Sequence, residues 1–206
     1  MINKRILSVD GDGVLFDFIQ GLTPFLKEKG IDHSHLSKYK GKSIHIPAHE
    51  LFNLDPSLSF KLLVEFNNSK HVKNLPIFEE DSIQNIQEIK REGYDIYLTT
   101  CLGRTENCLN YRFENVRKLF GNIIGRDNII MLDIDESKEK SLRYLSKKGN
   151  LFGHIDDRLK HIFEAKQANT RAIWYNNQEQ LHRDNEKHEN IIHVKNWSEI
   201  KNLLLY

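Results

Sequence analysis

The sequence predicts an α/β fold: a Rossmann-like parallel sheet with helices on both faces, plus a small helical cap inserted after the first strand. Three observations predict it. Short apolar runs at residues 6–9, 96–99, 129–132, 151–155, 172–174 and 191–194 have the length of buried strands. Helical apolar spacing fills most of the intervals between them, and strands alternating with helices build a parallel sheet covered on both sides. The interval 18–75 breaks that alternation, with helical patterns and turn signals at Gly30, Gly41, Pro47 and Asp55-Pro56 but no buried strand.

The first run, Ile6-Leu7-Ser8-Val9, stops at Asp10-Gly11-Asp12-Gly13-Val14. Glycines on both sides of Asp12 permit a turn, and a turn after Asp10 lets the two carboxylates approach one reacting atom from different angles. The insert leaves just past this pair, where it would sit as a lid that excludes water and selects substrate. An edge decoration remote from the site is the alternative. The expected division is a core of residues 1–17 and 76–206 and a cap of residues 18–75.

Beyond the insert, Ile83, Ile86 and Ile89 step at helical spacing after Glu79-Glu80-Asp81, and the strand at 96–99 follows. Leu109, Phe113, Val116 and Phe120 form a second helical stripe that stops at Gly121, ahead of the strand at 129–132. Leu142 with Leu145 precedes the strand at 151–155, and Leu159 with Ile162 and Phe163 precedes that at 172–174. The run at 191–194 leads into a last helix carrying Trp197, Ile200 and Leu204.

A chain of 206 residues suffices for one well-buried domain with an inserted subdomain. Thirty Lys plus Arg against 29 Asp plus Glu give no bulk attraction to nucleic acid or to an acidic membrane surface. Two cysteines, Cys101 and Cys108, with no secretory leader and no long apolar span, fit a reduced cytoplasm and no membrane partner. Nothing in the pattern sets an oligomeric state.

The chemistry gathers where strands end. In open parallel sheets ligands bind outside the carboxyl ends of the strands, which is where Asp10 falls. Thr99-Thr100 closes the second strand and Asp156-Asp157 the fourth. Singly, these read as helix caps. Together, the carboxylates of Asp10, Asp156 and Asp157 are what a small oxygen-seeking cation such as magnesium requires, and threonine hydroxyls suit phosphate oxygens.

These residues resemble the haloacid dehalogenase superfamily of phosphotransferases, whose pattern is Asp-x-Asp-Gly-Thr/Val, a strand ending in Thr or Ser, a lysine, then an acidic pair. Asp10-Gly11-Asp12-Gly13-Val14 matches the first motif, Tyr97-Leu98-Thr99 the second and His154-Ile155-Asp156-Asp157-Arg158 the fourth. Within the superfamily the chain is most similar to the 5′(3′)-deoxyribonucleotidases, through Asp-Gly-Val-Leu-x-Asp-Phe at residues 12–18 and the Ile-Asp-Asp ending.

The resemblance implies a magnesium-dependent phosphomonoester hydrolase acting on a small phosphate ester such as a (deoxy)nucleoside monophosphate. Asp10 would be the nucleophile and Asp12 the acid/base. Asp10, Asp156, Asp157 and the backbone carbonyl of Asp12 would hold Mg2+. Thr99 and Thr100 would hold phosphoryl oxygens, with a lysine to counter their charge. Lys138, Lys140, Lys147 and Lys148 are candidates, and Lys140, opening the helix ahead of the acidic pair, is the choice. Phe18 would face the base in the substrate pocket. Arg112 would reach a phosphate there with its fork of donors, or else lie on a solvated helix face.

Other patterns fail. The third glycine of a dinucleotide fingerprint is Phe16, and the arginine a cysteine phosphatase needs after Cys101 is Asn107. An EF-hand fails at Gly21, and Pro47 separates His45 from His49. A phosphatase of polynucleotide ends and a non-catalytic scaffold are the alternative functions; a cap disfavours the first, and intact Asp10 and Asp12 disfavour the second. In the superfamily that the chain resembles, cap side chains choose the leaving group, and the motifs themselves fix no substrate.

Overall fold

Short apolar runs set six strands, and the computed structural model, which describes residues 4–178 and 190–206, pairs them in one sheet. They are β1 (Arg5–Val9), β2 (Tyr94–Cys101), β3 (Ile129–Leu132), β4 (Asn150–Asp156), β5 (Arg171–Tyr175) and β6 (Ile191–Val194). All pair in parallel, in the order β3-β2-β1-β4-β5-β6. The chain runs outward from β1 to β3, then crosses back to β4 on the other side of β1. That reversal opens a crevice between the carboxyl ends of β1 and β4, where Asp10 and Asp156 stand.

The helices are α1 (Phe18–Glu28), α2 (Ala48–Phe52), α3 (Pro56–Asn67), α4 (Ser82–Arg91), α5 (Glu106–Phe120), α6 (Glu139–Lys148), α7 (Leu159–Gln167) and α8 (Trp197–Leu205). On one face of the sheet, Leu7, Val9, Ile96, Leu98, Ile155 and Ile173 pack with Ile86 and Ile89 of α4, Val116 and Phe120 of α5, and Trp197 and Ile200 of α8. On the other, Ala172 and Trp174 meet Leu142 of α6 and Ile162 and Ala165 of α7, while Ile6 and Tyr97 meet Leu145. Burying this much apolar surface at about 25 cal/mol per Å² is the main force holding the layers together.

Two expectations shift. β2 extends to Cys101, beyond the expected end at residue 99, because Thr99, Thr100 and Cys101 pair with Ile130, Met131 and Leu132 of β3. The buried face of α5 carries Cys108, Arg112, Asn115, Val116 and Phe120, while Leu109 and Phe113 are half-buried. Two polar side chains therefore face inward, a point that hydropathy alone conceals.

Residues 18–75 hold α1, α2, α3 and 3-10 turns, and no strand forms among them. Local chemistry starts these helices. The Asp17 carboxylate accepts from Gln20 N, and Asp55 accepts from Leu58 N with Pro56 at the first helical position. The chain leaves and returns at one place: Asp17 N donates to the Pro76 carbonyl and Phe78 N to that of Leu15, both at 2.9 Å. Gly21 lets α1 pass Leu75 there, since a Cβ would lie 2.0 Å from the Leu75 side chain. The far edge is fixed by Asn177 after β5, which accepts from Ser43 N and donates to the Gly41 carbonyl, each at 2.9 Å.

Among the described residues no helix is long and apolar enough to cross a membrane.

Candidate active site

The site begins with the loop after β1. Asp10 N donates to the Ile155 carbonyl, which fixes Asp10 beside β4. Leu15 N and Phe16 N both donate to the Gly11 carbonyl and close a tight turn that places Asp12 above it. Gly13 sits at φ +85, and a Cβ there would lie 2.5 Å from Asp157 Oδ2. Only glycine lets the turn approach the acidic pair this closely.

β4 delivers Asp156 and Asp157. Ligand oxygens of Asp10, Asp156 and Asp157 all lie within 4.8 Å of one another. The Asp156 carboxylate accepts three hydrogen bonds. Its Oδ2 accepts from Lys138 Nζ at 2.6 Å and from His154 Nε2 at 3.0 Å, and its Oδ1 accepts from Arg158 N at 2.9 Å. Asp157 Oδ1 is buried with no partner among the described residues.

Lys138, at the start of α6, reaches into this cluster. Its Nζ lies 2.6 Å from Asp10 Oδ1 as well as from Asp156. Its backbone N–H donates to Glu164 of α7, whose same oxygen accepts from His161 Nδ1 at 2.8 Å. The choice of Lys140 is therefore corrected. Lys140 lies two residues on, roughly 200° further round the helix, and is exposed; Lys147 and Lys148 are exposed too.

Thr99 and Thr100 divide by strand parity. Thr100 lines the cavity above Asp10, its buried Oγ1 without a partner among the described residues. Thr99 faces the other side of the sheet, so its assignment to phosphate is corrected. Its hydroxyl lies 3.0 Å from Ser8 Oγ, which lies 2.9 Å from His154 Nδ1. Burial holds the His154 ring below its ordinary pKa. With Nε2–H given to Asp156, Nδ1 accepts from Ser8 and Ser8 from Thr99, one continuous chain behind the carboxylates.

Arg112 is also corrected: it lies neither on a solvated face nor in the cavity wall. It is fully buried, and its Nη2 donates to both Asp12 oxygens at 2.7 Å while the guanidinium stacks 4.5 Å over Phe16. Asp12 itself stands outside the three-carboxylate cluster, its carboxylate turned to Arg112.

Charge is unevenly shared. Burial and the neighbouring Asp156 push the Asp10 carboxyl up to about 7 against the pull of Lys138. Burial, Asp156 and Asp10 raise Asp157 well above its ordinary range. Asp156, despite burial, is held low by Lys138 and His154, and Lys138, despite burial, is held protonated by Asp10 and Asp156. Of three clustered carboxylates, Asp10 and Asp156 share one ammonium, and Asp157 keeps a buried oxygen without a partner among the described residues. This donor set fits a hard divalent cation.

Above these groups lies a cavity of about 320 Å³. Its floor is Asp10, Thr100, Lys138 and Asp157, and residues 18–75 supply an apolar wall that includes Phe18, Ile44, Ile46, Leu51 and Phe60. Phe18 is braced edge-on by Phe66, ring centroids 5.0 Å apart. His45, Lys42 and Arg158 stand at the same cavity, and Arg158 is paired with Asp135 at 2.9 Å.

The fold recurs in known hydrolases. The chain superposes on a haloacid dehalogenase-like hydrolase from Streptococcus pneumoniae with a TM-score of 0.64 and 17% identity, covering 98% of this chain and 99% of that one. A HAD-hydrolase from Bacillus subtilis bound to magnesium gives 0.58 and 12%, covering 98% and 99%. D,D-heptose 1,7-bisphosphate phosphatase from Burkholderia thailandensis gives 0.56 and 9%, covering 98% and 100%. The chain thus has the α/β fold of haloacid dehalogenase-like hydrolases.

No family model matches the sequence. It is 28% identical over 164 residues to an uncharacterized 32.4 kDa protein of Enterobacteria phage T4, covering 80% of this chain. The matched segment spans 58% of that protein's length.

Proposed function

We propose that this chain is a magnesium-dependent phosphomonoesterase that works through an aspartyl phosphate. The observation that carries the reading is the pairing of Asp10 with Lys138 on the floor of a cavity that Asp12 also lines. A nucleophile, its counter-charge and an acid/base then converge on one point.

An Asp10 oxygen attacks phosphorus as the bond to the leaving oxygen breaks, and Asp12 gives that oxygen a proton. Asp12 then takes a proton from the water that attacks the same phosphorus, releasing phosphate and restoring the Asp10 carboxylate. Lys138 keeps its charge beside Asp10 throughout, and the Thr100 hydroxyl, without a partner among the described residues, donates to a phosphoryl oxygen. Asp10, Asp157, Asp156 and the Asp12 carbonyl would hold Mg2+, which when bound supplies charge neutralisation between nucleophile and phosphoryl oxygens.

Residues 18–75 serve as the cap and residues 1–17 and 76–206 as the core. A small cavity with an apolar cap wall supports a small ester over a polymer end. Phe18 at that wall supports a flat leaving group, as in a (deoxy)nucleoside monophosphate. The reading places the enzyme in the cytoplasm, where Cys101 and Cys108, both free, stay reduced.

The test is phosphate release from p-nitrophenyl phosphate and from a panel of nucleoside and sugar monophosphates, with a 3′-phosphorylated oligonucleotide and a 2-haloacid included. Magnesium-dependent turnover of a monophosphate that Asp10→Asn abolishes is expected. Undiminished turnover by that variant, or preference for the oligonucleotide or the haloacid, overturns it.

A further inference from the structure

We propose that Arg112 is a positioning residue that holds the Asp12 carboxylate at the reacting centre, and so governs both proton transfers without touching substrate. This rests on the phosphatase reading above, since it is Asp12's part in the reaction that Arg112 would serve.

Arg112 has no place in the cavity wall, yet among the described residues its one ionic partner is Asp12. A fully buried guanidinium costs folding energy, and a hydrophobic side chain of similar size would commonly serve stability as well or better. Here two of its nitrogens, Nε and Nη1, are buried without partners among the described residues, so the desolvation is only partly offset. On the same helix face Val116 and Phe120 are apolar, and the one other polar residue, Asn115, gives its amide to the Leu75 carbonyl. Besides stacking on Phe16, Arg112 obtains one carboxylate, held symmetrically by a single nitrogen at 2.7 Å from each oxygen.

That geometry suits an acid/base. A nitrogen equidistant from both oxygens lies in front of the carboxylate and uses the inner lone pairs. The outer lone pairs stay open to carry a proton. Asp12 sits between Gly11 and Gly13 in a turn with backbone freedom on both sides, so without Nη2 its side chain has nothing described to fix its rotamer.

The helix that presents Arg112 is itself tied down. One turn before it, Cys108 Sγ contacts the Asn67 carbonyl at 3.2 Å, and one turn after it, Asn115 Nδ2 donates to the Leu75 carbonyl at 2.9 Å. Both partners belong to residues 18–75, near the end of α3 and at the return to the core. Arg112 is thus held on a helix anchored to the wall of the cavity, and it sets Asp12 relative to that wall.

Leaving groups provide the test. p-Nitrophenolate departs without a proton, whereas an alkoxide such as that of glycerol 2-phosphate needs one. With magnesium-loaded full-length protein, Arg112→Met is expected to lower kcat on glycerol 2-phosphate about 100-fold, with KM within roughly twofold. On p-nitrophenyl phosphate the same variant should release a burst of about one p-nitrophenol per enzyme and then turn over slowly, because the first step proceeds unaided and the second lacks a placed base. Arg112→Lys should recover part of the loss.

Equal losses in the burst and the steady state, or a raised KM at unchanged kcat, overturn the proposal and leave the phosphatase reading standing. A wild type inert on every ester removes that reading and this inference with it. If circular dichroism shows Arg112→Met unfolded, Arg112→Lys carries the same comparison, since it keeps the charge but loses the planar fork.

Discussion

Lys138 Nζ stands 2.6 Å from Asp10 Oδ1 and 2.6 Å from Asp156 Oδ2, one buried ammonium bridging the ends of two adjacent strands. Removing it leaves those carboxylates, with Asp157 beside them, without their cation. Lys138→Met should cost about 3–5 kcal/mol in urea unfolding without metal and abolish turnover. Lys140→Met, on an exposed turn of α6, should stay within about 0.5 kcal/mol with turnover intact. Equal effects from the two substitutions would mean that the charge facing the phosphoryl group lies elsewhere.

Magnesium should stabilise the protein, because binding only the folded state shifts the equilibrium by about 2.7 kcal/mol at a hundredfold excess over Kd. EDTA should reverse the gain. Asp157 is crowded by Asp156 and Asp10 in a buried site, which raises its pKa, so its charged form is disfavoured in the metal-free fold. Asp157→Asn is therefore expected to raise the melting temperature of metal-free protein and to shrink the magnesium-induced increase. Thermal unfolding with and without metal reads both effects, and an unchanged magnesium response in the variant would remove Asp157 from the ligand set.

The two adjacent threonines should separate cleanly. Thr100→Val removes a hydroxyl that has no partner among the described residues, so stability should barely move while phosphatase activity falls about tenfold or more. Thr99→Val breaks the contact with Ser8 and should cost about 1 kcal/mol with activity near that of the wild type. Reversed outcomes would place Thr99 at the phosphate.

Acid should weaken the fold partly through His161. Burial pulls its pKa down to about 4, whereas in the unfolded chain it titrates near the ordinary 6.5. Below pH 6.5 the unfolded state binds a proton that the folded state refuses, so this contribution is complete above 6.5 and is lost as pH falls toward 4. The slope is on the order of 1 kcal/mol per pH unit in that window. Urea midpoints at pH 7.5, 6 and 5 should fall more steeply for the wild type than for His161→Gln. Parallel declines would assign the acid sensitivity to other groups.

What the sequence displayed openly was local. Glycines around Asp12 and aspartates where apolar runs stop mark strand ends, and those marks survive without knowledge of any partner strand. The sheet was legible for the same reason. Parity was not: with β2 expected to stop at residue 99, the threonine at the cavity could not be told from the one buried against Ser8, and the pairing of β2 with β3 through Cys101 separates them.

Lys138 lay hidden in the charged run Lys138-Glu139-Lys140, where rotation about α6, set by Leu142 and Leu145, decides which lysine turns inward. The role of Arg112 is hidden in the sequence because its partner, Asp12, stands 100 residues away. Ser8, His154 and Thr99 interrupt apolar strands singly. Their meaning appears only once β1, β2 and β4 lie side by side.

The two backbone hydrogen bonds that join residues 15–17 to residues 76–78 carry a consequence for how such a chain can change over generations. The stretch between them is a detour whose ends are already stitched together, so the register of β1 against β2 and β4 is set by backbone pairing outside it. A change in the wall residues of that stretch leaves Asp10, Lys138 and Asp156 where they are, since β1, β4 and the start of α6 hold those three together.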